Sequence, residues 1–189
     1  MAHGLAREGR LPYKEAMSES DPLSSPAAPA SQRGVTMSDV AEFMALLEPG
    51  RLIGIDAGTK TLGLALSDVT RSIASALETI RRTKFKDDAK RLLELAATLQ
   101  VRGFVLGLPA NLDGSEGPRA QATRAFARNL NALTPLPILL WDERLTTVEA
   151  ERVLLAADTS RKRRADVIDK LAATLILQGS LDRMRIVTR

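Results

Sequence analysis

Three short stretches of this 189-residue chain hold side chains that could do chemistry. Ile55-Asp56-Ala57-Gly58-Thr59-Lys60, with Gly63 just beyond, ends an apolar run in an acid and follows it with a glycine turn. A carboxylate there can hold a divalent cation, Thr59 and Lys60 can meet phosphate oxygens, and the glycines let backbone approach a ligand closely. The same arrangement also serves a plain hairpin whose Asp accepts turn hydrogen bonds. Trp141-Asp142-Glu143-Arg144-Leu145-Thr146-Thr147 ends a second apolar run in two acids. Successive strand residues point to opposite faces, so one of Asp142 and Glu143 faces a cavity while the other makes a salt bridge or cap. The third stretch holds Asp166 and Asp169 in the last helical segment. At about 100° per residue, Val167, Ile168, Leu171, Ala172, Leu175 and Ile176 define an apolar stripe, with Asp169 at its margin and Asp166 nearly opposite. Asp169 is equally an ordinary first-turn acid favoured by the helix dipole.

What the chain lacks narrows the chemistry. It has no Cys, and its one His is His3, in a stretch without folded patterning. Disulfides, thiolate sites, His general bases, Ser-His-Asp catalysis and His-ligated zinc are therefore not expected. Carboxylates from a first strand, a later strand and a terminal helix instead suit one or two Mg²⁺ or Mn²⁺ ions, which need only acids, water and substrate phosphate. Two such ions, roughly 3.5–4 Å apart, activate water and stabilise the leaving oxygen in phosphodiester hydrolysis. Net charge is +4, from 27 Lys and Arg against 23 Asp and Glu. The charges of residues 1–36 cancel, so the surplus sits on the rest of the chain, where a basic surface suits nucleic acid. Arg161-Lys162-Arg163-Arg164, just before the last helix, is either a solvated linker or a phosphate contact.

The elements that must position these groups follow from patterning. Residues 1–36 hold four of the nine prolines, with Ser and Ala clusters and no apolar period, and read as a disordered extension to a single domain over 37–189. A short amphipathic helix follows, with Ser38 as its expected N-cap. RLIGIDAG, TLGLALSD and SIASALETI form three strands at hairpin spacing. Lys86–Gln100 is an expected helix, VRGFVLGL a strand buried on both faces, and Pro118 opens a helix with Ala122, Phe126 and Leu130 on one side. Asp113 reads as a turn former. Pro137–Trp141 is a further strand, Thr146 and Glu149 have capping-box spacing for a helix after it, and a last helix covers Ala165–Arg183. The order implies an α/β fold, a mixed sheet whose parallel part is covered by helices. No apolar run nears the ~20 residues of a membrane span, and the N-terminus lacks a signal h-region, so a cytoplasmic protein is expected.

GIDAGTKTLGLALSD, GLPANLDGSEGPRA, WDERLTT and VIDKLAATLILQGSLD resemble, in the same order, the YqgF (RuvX) family. Its members are ribonuclease H-like proteins described as Holliday-junction resolvases and as pre-16S rRNA nucleases. The resemblance spans about Arg51 to Arg183 and implies a ribonuclease H-like fold with a mixed five-stranded sheet. It places the family's acids on Asp56, Glu143 and Asp169, as catalytic residues and metal ligands. Thr61 is a departure, because many members carry a basic residue there. The expectation is a metal-dependent nuclease acting on structured nucleic acid, foremost the 5′ end of pre-16S rRNA. Thr59, Lys60, Arg144 and Arg161–Arg164 are the expected substrate-binding groups. The alternatives are a Holliday-junction resolvase acting on DNA and a non-catalytic RNA-binding factor of the same fold. A phosphotransferase of the actin–hexokinase kind also opens with strand–Asp–x–Gly–Thr. It needs a second domain, for which about 150 folded residues leave no room.

Overall fold

The computed structural model describes residues 33–109, 116–143 and 161–188, and within the last of these only the backbone over 161–168. Asp113, Arg144 and the Thr146–Glu149 capping box lie outside the described residues, as do the side chains of Asp166 and of the basic run.

A two-residue strand β1 (Thr36–Met37) and a short helix α1 (Val40–Ala45) precede the three strands read from the sequence. These are β2 (Arg51–Ala57), β3 (Thr61–Ser67) and β4 (Ala74–Arg81), which pair as an antiparallel meander. After α2 (Phe85–Thr98), β5 (Val101–Leu108) pairs parallel to β2. After α3 (Pro118–Asn131), β6 (Ile138–Asp142) pairs parallel to β5. The final helix is α4 (Arg161–Val187). The sheet order is β1-β6-β5-β2-β3-β4. Leaving β1 aside, this is the mixed five-stranded, ribonuclease H-like arrangement that the sequence implied.

Strand alternation sorts the side chains onto two faces. Ile53, Ile55, Leu62, Leu64, Phe104, Leu106, Ile138 and Leu140 pack beneath α2 and α3. Leu52, Ala65, Val105, Leu139 and Trp141 pack beneath α4, with Phe43 of α1 beside them. Each fully buried Leu, Ile or Phe here contributes about 1.5–3 kcal/mol relative to exposure. Asp56, in step with Leu52, therefore belongs to the α4 face, as does Glu143, in step with Leu139 and Trp141. Asp142, in step with Ile138 and Leu140, belongs to the other.

Six details differ from the sequence reading. The sheet has six strands, because Thr36 and Met37 pair with Ile138 and Leu139 along the outer edge of β6. Two residues carry no detectable period. Residues before Met37 also bond to the sheet and α3. The Gly34 amide donates to the carbonyls of Asn131 (3.1 Å) and Thr134 (2.8 Å), the Ile138 amide donates to the Val35 carbonyl (2.9 Å), and Asn131 bonds the Thr36 hydroxyl. The N-cap of α1 is Asp39, whose carboxylate accepts from the Glu42 amide at 2.9 Å. Ser38 lies one residue too early for that reach. On α3 the buried positions are Ala120, Thr123, Phe126, Ala127 and Leu130, while Ala122 is exposed. The contact face thus includes a Thr that apolar counting passes over. On α4, Ala173, Ile176, Leu177, Ser180, Leu181 and Met184 are buried, and Leu171 and Leu175 are only half-buried. The helix also begins at Arg161, so the basic run forms its first turn rather than a linker before it.

The strap from Gly34 to Thr36 gives a first test. Compared with a chain beginning at Arg33, one beginning at Met37 loses three backbone hydrogen bonds and is expected to be about 1–3 kcal/mol less stable in urea titration. Equal midpoints would show that the strap contributes nothing.

Candidate active site

Asp56 lies at the end of β2, half-buried, before the turn that leads to β3. Its partner across the ladder is Gly63. A Cβ at Gly63 would stand 2.1 Å from the Asp169 carbonyl oxygen and 2.5 Å from its carbonyl carbon. Only a residue without a side chain lets the backbone of α4 rest on the sheet here, and that contact sets Asp169 beside Asp56. The close approach that the glycine-rich turn advertises is made at Gly63 by a helix of the same chain.

A second absent side chain seats Glu143. Gly107 pairs with Trp141, and a Cβ on it would lie 2.7 Å from Glu143 Oε1 and 2.5 Å from Ile176 Cδ1. The Glu143 carboxylate thus fills the space left open at the end of β5. Trp141 packs against Gly179 of α4, the indole Cζ2 lying 3.3 Å from where a Cβ would sit. Strand ends and helix are locked to each other around the three acids.

The three acids act on one another electrostatically. Burial pushes the Asp56 carboxyl above its ordinary value, the Asp169 charge raises it further, and Arg119 opposes both. Burial likewise raises Glu143, followed by repulsion from Asp56, with Arg119 lowering it and Asp142 adding a smaller upward push. Asp56 is the shared member, close enough to feel both other acids. Among the described residues no three acids stand near enough together to hold an ion as they are; the approach is pairwise. Thr59 and Lys60 are exposed at the turn beyond Asp56.

Arg119 was missed by sequence reasoning. It is the second residue of α3, behind Gly117 as N-cap and Pro118, and is exposed. The available signal was positional: a helix that begins after β5 starts at the same sheet end as the acids, so a cation in its first turn reaches them.

The shifts carry a sign for stability. A carboxyl whose folded value is raised binds its proton more tightly in the folded state, so stability falls as pH rises from the ordinary carboxylate range through the raised values. Asp68 has the opposite sense. Hydrogen bonds from the Thr70 hydroxyl and the Ile73 and Ser72 amides lower it to about 2. Its contribution is complete above the ordinary range and is lost progressively as pH falls from there through that value. From the ordinary carboxylate range upward through the raised values the site therefore destabilises the metal-free chain progressively, and the melting temperature of Asp56→Asn minus that of wild type is expected to grow with pH across this window. A difference independent of pH would remove the repulsion.

The family model described as RuvX, Holliday junction resolvase, matches residues 50–183. A Paracoccus denitrificans protein with the provisional name pre-16S rRNA nuclease is 63% identical over 145 residues, covering 77% of this chain and 92% of its own length. A Rhodobacter capsulatus protein with the same provisional name is 63% identical over 140 residues, covering 74% and 88%. Among solved structures, Thermus thermophilus RuvC in complex with a Holliday junction substrate aligns with 16% identity and a TM-score of 0.49, over 72% of this chain and 96% of that one. The match of the family model over most of the chain, and relatives of this identity aligned over most of their own length, establish that the chain belongs to the RuvX family.

Proposed function

We propose that this chain is a metal-dependent nuclease that hydrolyses phosphodiester bonds in structured nucleic acid, and that its substrate is pre-16S rRNA, processed at the 5′ end during ribosome biogenesis in the cytoplasm. The observation that carries this reading is the gathering of Asp56, Glu143 and Asp169 at one end of the sheet, with Asp56 repelled by both other acids. The provisional names of the relatives favour the RNA substrate. The family description favours a branched DNA junction as the second reading.

The donor set fits Mg²⁺ or Mn²⁺: hard carboxylate oxygens, partly desolvated and lacking enough positive charge of their own. Asp56, Glu143 and Asp169 would hold the ion by closing around Asp56 from the pairwise approach they make in its absence. Bound there, the ion supplies water activation and stabilisation of the leaving oxygen. The chain's own groups do the rest. Arg119 offsets part of the acids' charge. Thr59 and Lys60 meet backbone phosphates beside Asp56, and Arg144 and Arg161–Arg164 are further cations available to the substrate. Four cations in the first turn of α4 oppose the helix dipole, a placement that a bound polyanion relieves. No helix among the described residues is long and apolar enough to cross a membrane.

Cleavage of a pre-16S rRNA fragment and of a four-way DNA junction, each with Mg²⁺, Mn²⁺ or EDTA, tests the reading. Metal-dependent cleavage of the RNA with the junction spared supports it. Cleavage of the junction alone gives the resolvase, and binding without cleavage gives the RNA-binding factor. Neutralising Arg161–Arg164 is expected to weaken binding and flatten its salt dependence by up to about four phosphate contacts while sparing the chemical step.

A further inference from the structure

The turn between β2 and β3 is held from behind by one side chain. Arg82, just past the end of β4, donates from Nη1 to the Gly58 carbonyl at 2.7 Å, and its own amide donates to the Lys60 carbonyl at 2.9 Å. Its guanidinium lies 5.8 Å from the centre of the Phe126 ring on α3, and its Nε lies 3.6 Å from Asp88 Oδ2 on α2. Asp88 is buried, and its other oxygen accepts from the Thr83 amide at 3.0 Å. Arg82 therefore ties the turn to both helices on the face away from α4.

This clasp has a consequence for what the turn presents. Carbonyl oxygens repel a phosphate, and those of Gly58 and Lys60 are both engaged by Arg82. The Thr59 and Lys60 side chains are left exposed, three and four residues beyond Asp56. A buried carboxylate left without its cation is unfavourable, so Asp88 in turn keeps Arg82 in place.

We propose that Arg82 is a positioning residue that fixes the β2–β3 turn, through the Gly58 carbonyl and with Asp88 behind it, so that Thr59 and Lys60 receive a substrate phosphate beside Asp56. This rests on the reading of the acid cluster as a nuclease site. Arg82 acts through Lys60 and makes no phosphate contact itself, which separates it from an ordinary cation of the binding surface.

The test is binding of a labelled pre-16S rRNA fragment to the full chain in an Asp56→Asn background, titrated with salt. Lys60→Met, Arg82→Met, Arg82→Lys and the Arg82→Met/Lys60→Met pair are compared, with melting temperatures alongside. Arg82→Met is expected to weaken binding about tenfold, because the turn must then be ordered by the ligand. It is also expected to take from the salt slope the same ~0.7–0.9 that Lys60→Met takes, and to add nothing once Lys60 is gone. Arg82→Lys, which keeps a cation and a donor, is expected to restore part of the affinity. It also covers the case in which Arg82→Met does not fold. If Arg82→Met only lowers the melting temperature, or if its effect adds fully to that of Lys60→Met, the proposal is overturned while the nuclease reading stands. If Lys60→Met leaves binding unchanged, the phosphate contact and the proposal fall together. If wild-type protein neither binds nor cuts the RNA, the underlying reading has failed first.

Discussion

Asp56→Asn is expected to lower metal-dependent cleavage by at least about 10³-fold, a barrier increase of roughly 4 kcal/mol, while raising the melting temperature of the metal-free protein. The two effects have one cause. Asp56 is the acid that both of the others oppose, and burial already disfavours its charge. Asparagine keeps the shape and removes the charge, so the repulsion goes and so does the central oxygen donor. On the proposed reading, Mg²⁺ is expected to stabilise the wild-type fold by binding the folded form only, by an amount that grows with ion concentration. In Asp56→Asn that increment is expected to shrink. Single-turnover cleavage with melting curves at several Mg²⁺ concentrations reads both effects together. Full cleavage by Asp56→Asn would remove the metal-nuclease assignment. Lost cleavage with a lowered melting temperature and an unchanged Mg²⁺ increment would instead make Asp56 a structural residue.

The strands were legible because their periods are short and their ends are marked. Asp56 and the Asp142-Glu143 pair stand at strand ends, where sheets of this class keep their sites, and alternation sends Asp142 and Glu143 to opposite faces. The helices were harder to read. The stripe through Leu171, Leu175 and Ile176 follows side-chain size, but the face of α4 that meets the sheet is turned to run through Ala173, Ile176, Leu177 and Ser180, two of which apolar counting passes over. Ala173 and Ser180 are buried while the two leucines ride on the flank. Asp169, four residues before Ala173, thus belongs to the contact face itself rather than its margin. Gly63 and Gly107 were visible as letters, but what they make room for, a helix backbone and a carboxylate, depends on parts of the chain distant in sequence. Arg119 and β1 escaped for the same reason: each gains its meaning from a strand end that another segment supplies.

That dependence is why Gly63→Ala is expected to be the most damaging change outside the acids. The added methyl would meet backbone atoms of Asp169, at 2.1 and 2.5 Å, and no rotamer change can move them away. Either β3 sinks into the leucine layer beneath it or α4 rises from the sheet. Beneath β3 sit Leu62 and Leu64, fully buried against α2 and α3, so the helix yields. A lift of about 1 Å at this point costs roughly 1–3 kcal/mol of stability and, by displacing Asp169 from Asp56, about 10²-fold in cleavage. Gly179→Ala is the control on the same helix. Its methyl meets the Trp141 ring at 3.3 Å, a contact that a small tilt relieves, and it lies ten residues from Asp169. The expected outcome is a large loss of cleavage for Gly63→Ala and near-normal cleavage for Gly179→Ala, compared at a temperature where both are folded. If Gly63→Ala cleaves like wild type, Asp169 does its work without being pressed against the sheet, and its seat on Gly63 is packing alone.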